Sequence, residues 1–210
     1  KVRMPSLRRT VGAFAAVASA LSVPHAAHAT DGYFVNGMGA KAKGAGGVSI
    51  AMPQDAVAIA ANPAAAVELG ERFDIGVELF VPSRGAEITG NGAQLNGSWS
   101  GNGSNPFILP EAAYVRPLGD GLAAALVITG NGGMNTNYAS NPFGSFGAQG
   151  PAGVNLRQIF ITPTLSARIG EGHSVGVSPI LLLQSFSMTG IQPFAVANTS
   201  SAPTAMTNRG

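Results

Sequence analysis

Residues 72–81 place Phe73, Ile75, Val77, Leu79 and Val81 at one parity of the chain and Arg72, Asp74, Gly76 and Glu78 at the other. Successive side chains of a β-strand point to opposite faces, so this stretch reads as a strand with one apolar and one polar face. Its length matches the roughly 9–11 residues of a tilted transmembrane strand. Five large apolar side chains on one face must be covered by protein or by lipid. Composition favours lipid: only 10% of the 210 residues are charged, against about 25% in an ordinary soluble domain. The apolar share of 45% argues against a disordered chain. Beyond the N-terminal leader, the most apolar stretch is residues 180–183, far shorter than the roughly 20 residues a membrane helix needs. A chain that spans a membrane without helices must close a barrel, because each unpaired backbone group in lipid costs several kcal/mol.

The leader sets the compartment. Lys1, Arg3, Arg8 and Arg9 precede an uncharged apolar run, residues 11–23, and then Pro24-His25-Ala26-Ala27-His28-Ala29. Basic, apolar and small-residue segments in that order form a secretory signal, and Ala27-His28-Ala29 places the cut after Ala29. The run is too short for a membrane anchor. The sequence pI of about 9.3 therefore does not describe the mature chain. Four of the 12 basic residues leave with the signal, so eight remain against ten acidic ones, a net charge of −2. No basic patch is left to hold nucleic acid. There is no Cys, hence no disulfide and no lipid anchor through an N-terminal Cys.

Residues 30–70 differ from the rest. They are rich in Ala and in glycines 32, 37, 39, 44, 46 and 47, without period-two alternation. Residues 53–61 read as a short helix with Pro53 in its first turn. Asn62-Pro63 stops it, because the residue before Pro avoids the α region. Residues 64–69 form a second helical piece. Small residues let backbones pack closely, so this zone reads as a compact plug; Ala-rich helical stretches are not what a Gly/Ser linker looks like.

Further strands are expected at 109–118, 121–129, 155–169 and 174–189, with Tyr114 as an interfacial anchor. In 121–129, Leu122, Ala124, Leu126 and Ile128 share one face, and Ala123, Ala125 and Val127 lie on the other, which is therefore small rather than charged. Pro163 and Pro179 mark expected bulges at which the facing of the later strands can switch. Long Gly/Asn/Ser-rich loops, 88–106 and 130–153, alternate with short turns at 117–121 and 170–172. Outer-membrane barrels sort their loops in this way; a soluble sandwich has no reason to.

Asp31-Gly32-Tyr33-Phe34, the glycines 44, 46 and 47, Asp55-Ala56-Val57 and above all Asn62-Pro63-Ala64 just ahead of the first strand resemble the FadL/TodX family. Residues 114–118 and Gly130-Asn131-Gly132-Gly133-Met134-Asn135 fit the same pattern. These are outer-membrane transporters of long-chain fatty acids and other hydrophobic compounds. The resemblance covers residues 30–194 and about the first half of a typical member. It implies an all-β fold, a transmembrane antiparallel β-barrel of fourteen strands, of which about the first five are present, in residues 71–210. It implies that residues 30–70 fold inside as a small helical hatch containing the Asn62-Pro63-Ala64 motif, near a gap in the wall. It implies passive uptake, with the ligand leaving sideways through a kink in the third strand, here Gly130, Asn131, Gly132 and Gly133. Glycines weaken a ladder, but Gly also opens ordinary loops, so both readings stand. Candidate ligand contacts are Phe34, Met38, Ile50 and Met52, although apolar plug residues more often simply fill space. Lys41 and Lys43 face either a substrate carboxylate or solvent.

No catalytic or metal site is expected, and no cofactor. The mature chain has one His, His173, in a turn; no His/Cys cluster suits zinc, no Gly-x-Ser-x-Gly elbow is present, and no phosphate loop. The expected partners are a long-chain fatty acid or other hydrophobic small molecule, and the outer membrane's lipid and lipopolysaccharide, around a monomeric barrel. Two alternatives remain: an adhesin or receptor barrel with binding loops, and a lipid-acting barrel enzyme with catalytic residues beyond this chain.

Overall fold

The structure, a computed structural model, describes residues 34–91, 96–132, 134–197 and 208–209. The expected signal 1–29, the Asp31–Tyr33 part of the family pattern and Gly133 lie outside the described residues.

The alternating stretch forms β1 (Arg72–Phe80). It pairs antiparallel with β4 (Phe107–Gly119), which pairs with β5 (Leu122–Asn131), and β5 with β7 (Ala152–Arg168). The far side of β7 carries β8 (Ser174–Val177) and β9 (Leu181–Thr189), and β10 (Asn208–Arg209) adds to β9. Between β1 and β4 stands a separate hairpin, β2 (Gly85–Ile88) with β3 (Gly97–Ser100); Ala86 lies opposite Trp99. The last strand, β6 (Asn135–Tyr138), lies beyond β5 and pairs with β7. The sheet is antiparallel throughout, and no helix among the described residues is long and apolar enough to cross a membrane.

The pairing keeps like faces together. Phe73 meets Tyr114, Ile75 meets Ala112 and Leu79 meets Ile108 on one face; Asp74 meets Ala113 and Arg72 meets Val115 on the other. The first face is bare: Ile75 is 76% and Val77 71% exposed, and Leu122, Leu126, Leu165, Val177 and Leu183 continue the apolar surface across the strands. The second face is covered by the N-terminal segment. This segment contains one short helix, α1 (Ala40–Gly44), and 3-10 turns at Ala56–Ala60 and Pro63–Glu68. Ala56, Val57, Ile59, Ala65 and Ala66 bury against Ala113, Val115, Ala123, Ala125 and Val127. The small residues on the covered face of β5 are what admit these turns.

Side-chain caps fix the segment's shape. Asp55 accepts from the Ala58 N–H, and Asn62 accepts from the Ala64 N–H with Pro63 next in line; both satisfy donors that a helix start leaves orphaned. Pro163 and Pro179 do not produce the expected bulges. Leu165 pairs with Val177 and Ile161 with Leu181, four residues on along each strand, so β8 and β9 share one register. Pro179 merely interrupts the ladder, having no N–H to give. The 88–106 and 130–153 loops are likewise more ordered than expected: the first contains β3 and part of the hairpin, the second β6 and a 3-10 turn at Gly144–Phe146.

Candidate functional site

The third long stretch of chain, β5 followed by β6, is broken. Asn131 pairs with Gln158 and Asn135 with Asn155. Three residues therefore separate the two pairs on this strand and two on β7, so this strand carries one residue more than its partner between Asn131 and Asn135. The break coincides with the end of the β4–β5 ladder, whose final pair is Glu111 with Thr129. The next residue on β4 is Pro110, which cannot donate. Opposite it is Gly130, where a Cβ would lie 2.8 Å from Pro110 Cδ. No described strand pairs with Phe107–Pro110 on this side, although β4 remains paired with β1 there. Further along, the base of the β2–β3 hairpin closes over β6: Asn137 N–H donates to Gly101 O at 2.9 Å and Gly103 N–H to Asn137 O at 3.0 Å. The result is an interval in the sheet, bounded at one end by Pro110 and Gly130 and at the other by Asn137.

Polar side chains line this level. Asn131 donates to Gln158 Oε1 at 3.1 Å, and Gln158 to Gln184 Oε1 at 2.6 Å. The Asn135 amide spans the bulge, donating to the carbonyls of Gly132 and, at 3.0 Å, Leu156. Lys43 of α1 forms an ion pair with Glu78 of β1, so α1 is tied to the wall two pairs beyond Glu111, where Glu78 lies opposite Leu109. Above the interval, Arg84 donates to Asn105 at 2.5 Å and sits 5.1 Å over the Phe107 ring. Burial holds this guanidinium below the ordinary arginine value, opposed by Tyr138, and it stays charged. A cavity of about 410 Å³ opens beside it between Ser104, Phe107, Thr136, Val154 and Asn155.

The structure distributes the expected residues over two ends of the sheet. Gly130, Asn131 and Gly132 lie at the break. Asn62, Pro63 and Ala64 do not lie beside it. Ala64 O accepts from Ser166 Oγ at 3.0 Å, and a Cβ on Gly176 would collide with Pro63 and Ala64. Ser166 pairs with Ala123 and Gln158 with Asn131, which puts the motif eight residues, roughly 27 Å at about 3.4 Å per residue, from the break along β7. Phe34 packs on Phe160 with ring centroids 5.9 Å apart, near the break. Met38 packs against the buried cluster. Ile50 and Met52 are 67% and 62% exposed. Lys41 donates to Gln54 O at 3.1 Å. Nothing in the sequence singles out Glu111 or Gln158, and Glu78 and Asn135 are legible only as part of the first strand's polar face and of the 130–135 pattern. Besides the glycines of 130–133, the only trace of the break in the sequence was Pro110 itself, a residue without an N–H inside a strand.

A sheet with a bare apolar face, and with a segment of small residues covering the other, defines the wall of a β-strand membrane protein. The chain belongs to the family described as Outer membrane protein transport protein (OMPP1/FadL/TodX), whose model matches residues 15–209. This is a family of transporters, and membership points to movement of hydrophobic compounds at the outer membrane. No curated protein and no solved structure matches the chain.

Proposed function

We propose that the chain forms the first strands of a closed, fourteen-stranded outer-membrane barrel, plugged by residues 30–70, through which long-chain fatty acids or other hydrophobic molecules pass down their gradient. The signal is removed after Ala29, and the barrel is a monomer set among outer-membrane lipid and lipopolysaccharide. Solute enters near the Phe107–Thr136 cavity, contacts Phe34 and Met38 as the plug shifts, and leaves sideways between β4 and β6. Ile50 and Met52 contribute apolar surface on the plug's far side. Asn62-Pro63-Ala64 anchors the plug to β7 and β8, so that the α1 end moves while the 3-10 turns stay.

One observation carries this reading: the ladder stops at Pro110 and Gly130 with a one-residue offset beyond it. Unpaired backbone at membrane depth is tolerated only where it lines a cavity or is buried in protein, so an interval here marks a passage. Leaving water for apolar surroundings gains a solute about 25 cal/mol per Å² of its apolar surface, so no energy source is needed. The test is growth of cells lacking their own transporter, given the complete gene, on oleate and on aromatic hydrocarbons. Rescue on at least one is expected. Absence of rescue from a demonstrably inserted barrel contradicts the transport reading.

A further inference from the structure

We propose that Arg84 and Ser104 form an anion-binding subsite at the head of the Phe107–Thr136 cavity. It takes the ionised acid group of a hydrophobic carboxylic acid, while the cavity takes the hydrocarbon body. This rests on the transport reading and names one solute class for the entry. Arg84 Nε and Nη1 are buried without a hydrogen-bond partner, and so is Ser104 Oγ. The guanidinium spends only Nη2, on Asn105 Oδ1 at 2.5 Å, and lies 5.1 Å over the Phe107 ring. The N–H groups on Nε and Nη1 therefore have nothing to donate to. Buried donors left unpaired are costly in a folded protein, so a cluster of them on a cation marks a place that an anionic acceptor completes.

No carboxylate of the chain fills that place. Among the described residues the ion pairs are Lys43 with Glu78, Arg72 with Asp74 and Arg168 with Glu68. Glu111 lies four residues along β4 from Phe107, roughly 13 Å at about 3.4 Å per residue. Glu87 is opposite Ser98 on the hairpin. A second cation is close by: Arg157, exposed and opposite Ser185, stands two residues along β7 from Asn155, at the same parity, and Asn155 lines the cavity. Both charges draw an anion inward. The cavity, about 410 Å³, is of ordinary size for a small-molecule site. Ser104 and Phe107 join it to the guanidinium, and Pro151 and Val154 add apolar surface for a hydrocarbon body. The free nitrogens are closed off from water, so the anion enters by exchange. The Asn105 link breaks, the guanidinium turns on the Phe107 face, and the carboxylate oxygens accept from Arg84 and from Ser104 Oγ. A carboxylate bonds a guanidinium more strongly than a neutral amide oxygen does, which drives the exchange. A plain hydrocarbon gains nothing from it.

Two probes on one skeleton test this: 4-butylbenzoate and butylbenzene at pH 7, where a carboxyl with a pKa of about 4 is ionised. Initial uptake at low concentration is measured in cells carrying the complete gene product, relative to cells with an empty vector. The quantity compared is the ratio of acid to hydrocarbon uptake, from which a general loss of inserted barrel cancels. Arg84→Gln lowers that ratio about tenfold, the scale of one charged hydrogen bond. Arg84→Lys, which keeps the charge, restores most of it, and Ser104→Ala lowers it by a smaller factor. An unchanged ratio in Arg84→Gln overturns the inference while transport stands. If the purified Arg84→Gln barrel has also lost bound lipopolysaccharide phosphate, the anion at this site is a lipid headgroup and not a solute. Entry of neither probe through an inserted barrel overturns both readings.

Discussion

Gly176 has no room for a side chain, because a Cβ there would run into Pro63 and Ala64 of the segment lying on it. The requirement comes from a neighbour more than a hundred residues earlier, so nothing in Ser174-Val175-Gly176-Val177 announces it. Gly176→Val is expected to lift the Pro63–Glu68 turn off β7, costing about 1–3 kcal/mol as overpacking does. Read by thermal unfolding in detergent, the variant melts lower; an unchanged melting temperature contradicts the contact. By contrast, the capping residues were legible. Asn62 before Pro63 stops one turn and starts the next whatever the fold, and its oxygen does accept from Ala64. Asp55 was legible only as part of a family pattern. Buried at 6% exposure and bonded to the Ala58 N–H, it is expected to cost about 1 kcal/mol on Asp55→Ala, measured by denaturant unfolding.

Strand legibility followed the chemical contrast between faces. β1 declared itself because its two faces, Phe73-Ile75-Val77-Leu79 and Arg72-Asp74-Gly76-Glu78, differ in kind. β7 did not, because its bare face carries Pro163 and Arg157 while its covered face carries Phe160 beside Thr162, Thr164 and Ser166. Parity was regular all along; chemistry obscured it. Pro179 suggested a switch of facing, but a missing N–H costs one ladder bond and leaves the register alone. The one-residue offset lies instead between Asn131 and Asn135, where the sequence offers a Gly-Gly pair that fits a loop equally well. Deleting Met134 removes the extra residue and lets β5 run into β6 in one register. The expected outcome is an inserted protein with at least several-fold slower uptake of hydrophobic solute; unchanged uptake would mean that the bulge is incidental.

For the whole molecule, the bare face sets the environment. From Phe73 to Val81 the apolar parity runs about 27 Å at roughly 3.4 Å per residue, or some 20 Å of height at a tilt near 40°, close to the apolar band of an outer-membrane barrel. Val77 sits in the middle of that band and is 71% exposed. Val77→Lys is expected to lower stability in lipid vesicles by about 2–4 kcal/mol; Ser98→Lys on the separate hairpin changes it little. The alternation and low charge made this environment legible, and the alternation of long loops with short turns pointed the same way. The side-by-side placement of Pro110 and Gly130 was not legible, because register between strands is set by turns and packing rather than by either strand alone.

The central claim is that solute leaves through the interval between β4 and β6. The chain has no Cys, so a pair can be introduced cleanly. A Cβ on Gly132 would lie 3.8 Å from Leu109 Cδ2 across the interval. Leu109→Cys with Gly132→Cys, bridged by oxidation or by a short cleavable thiol linker, staples it shut. Uptake of a hydrophobic solute is then measured on the same cells before and after reduction. Uptake abolished in the stapled state and restored on reduction is the predicted result. Equal uptake in both states, with the bridge shown to be complete, would contradict the account.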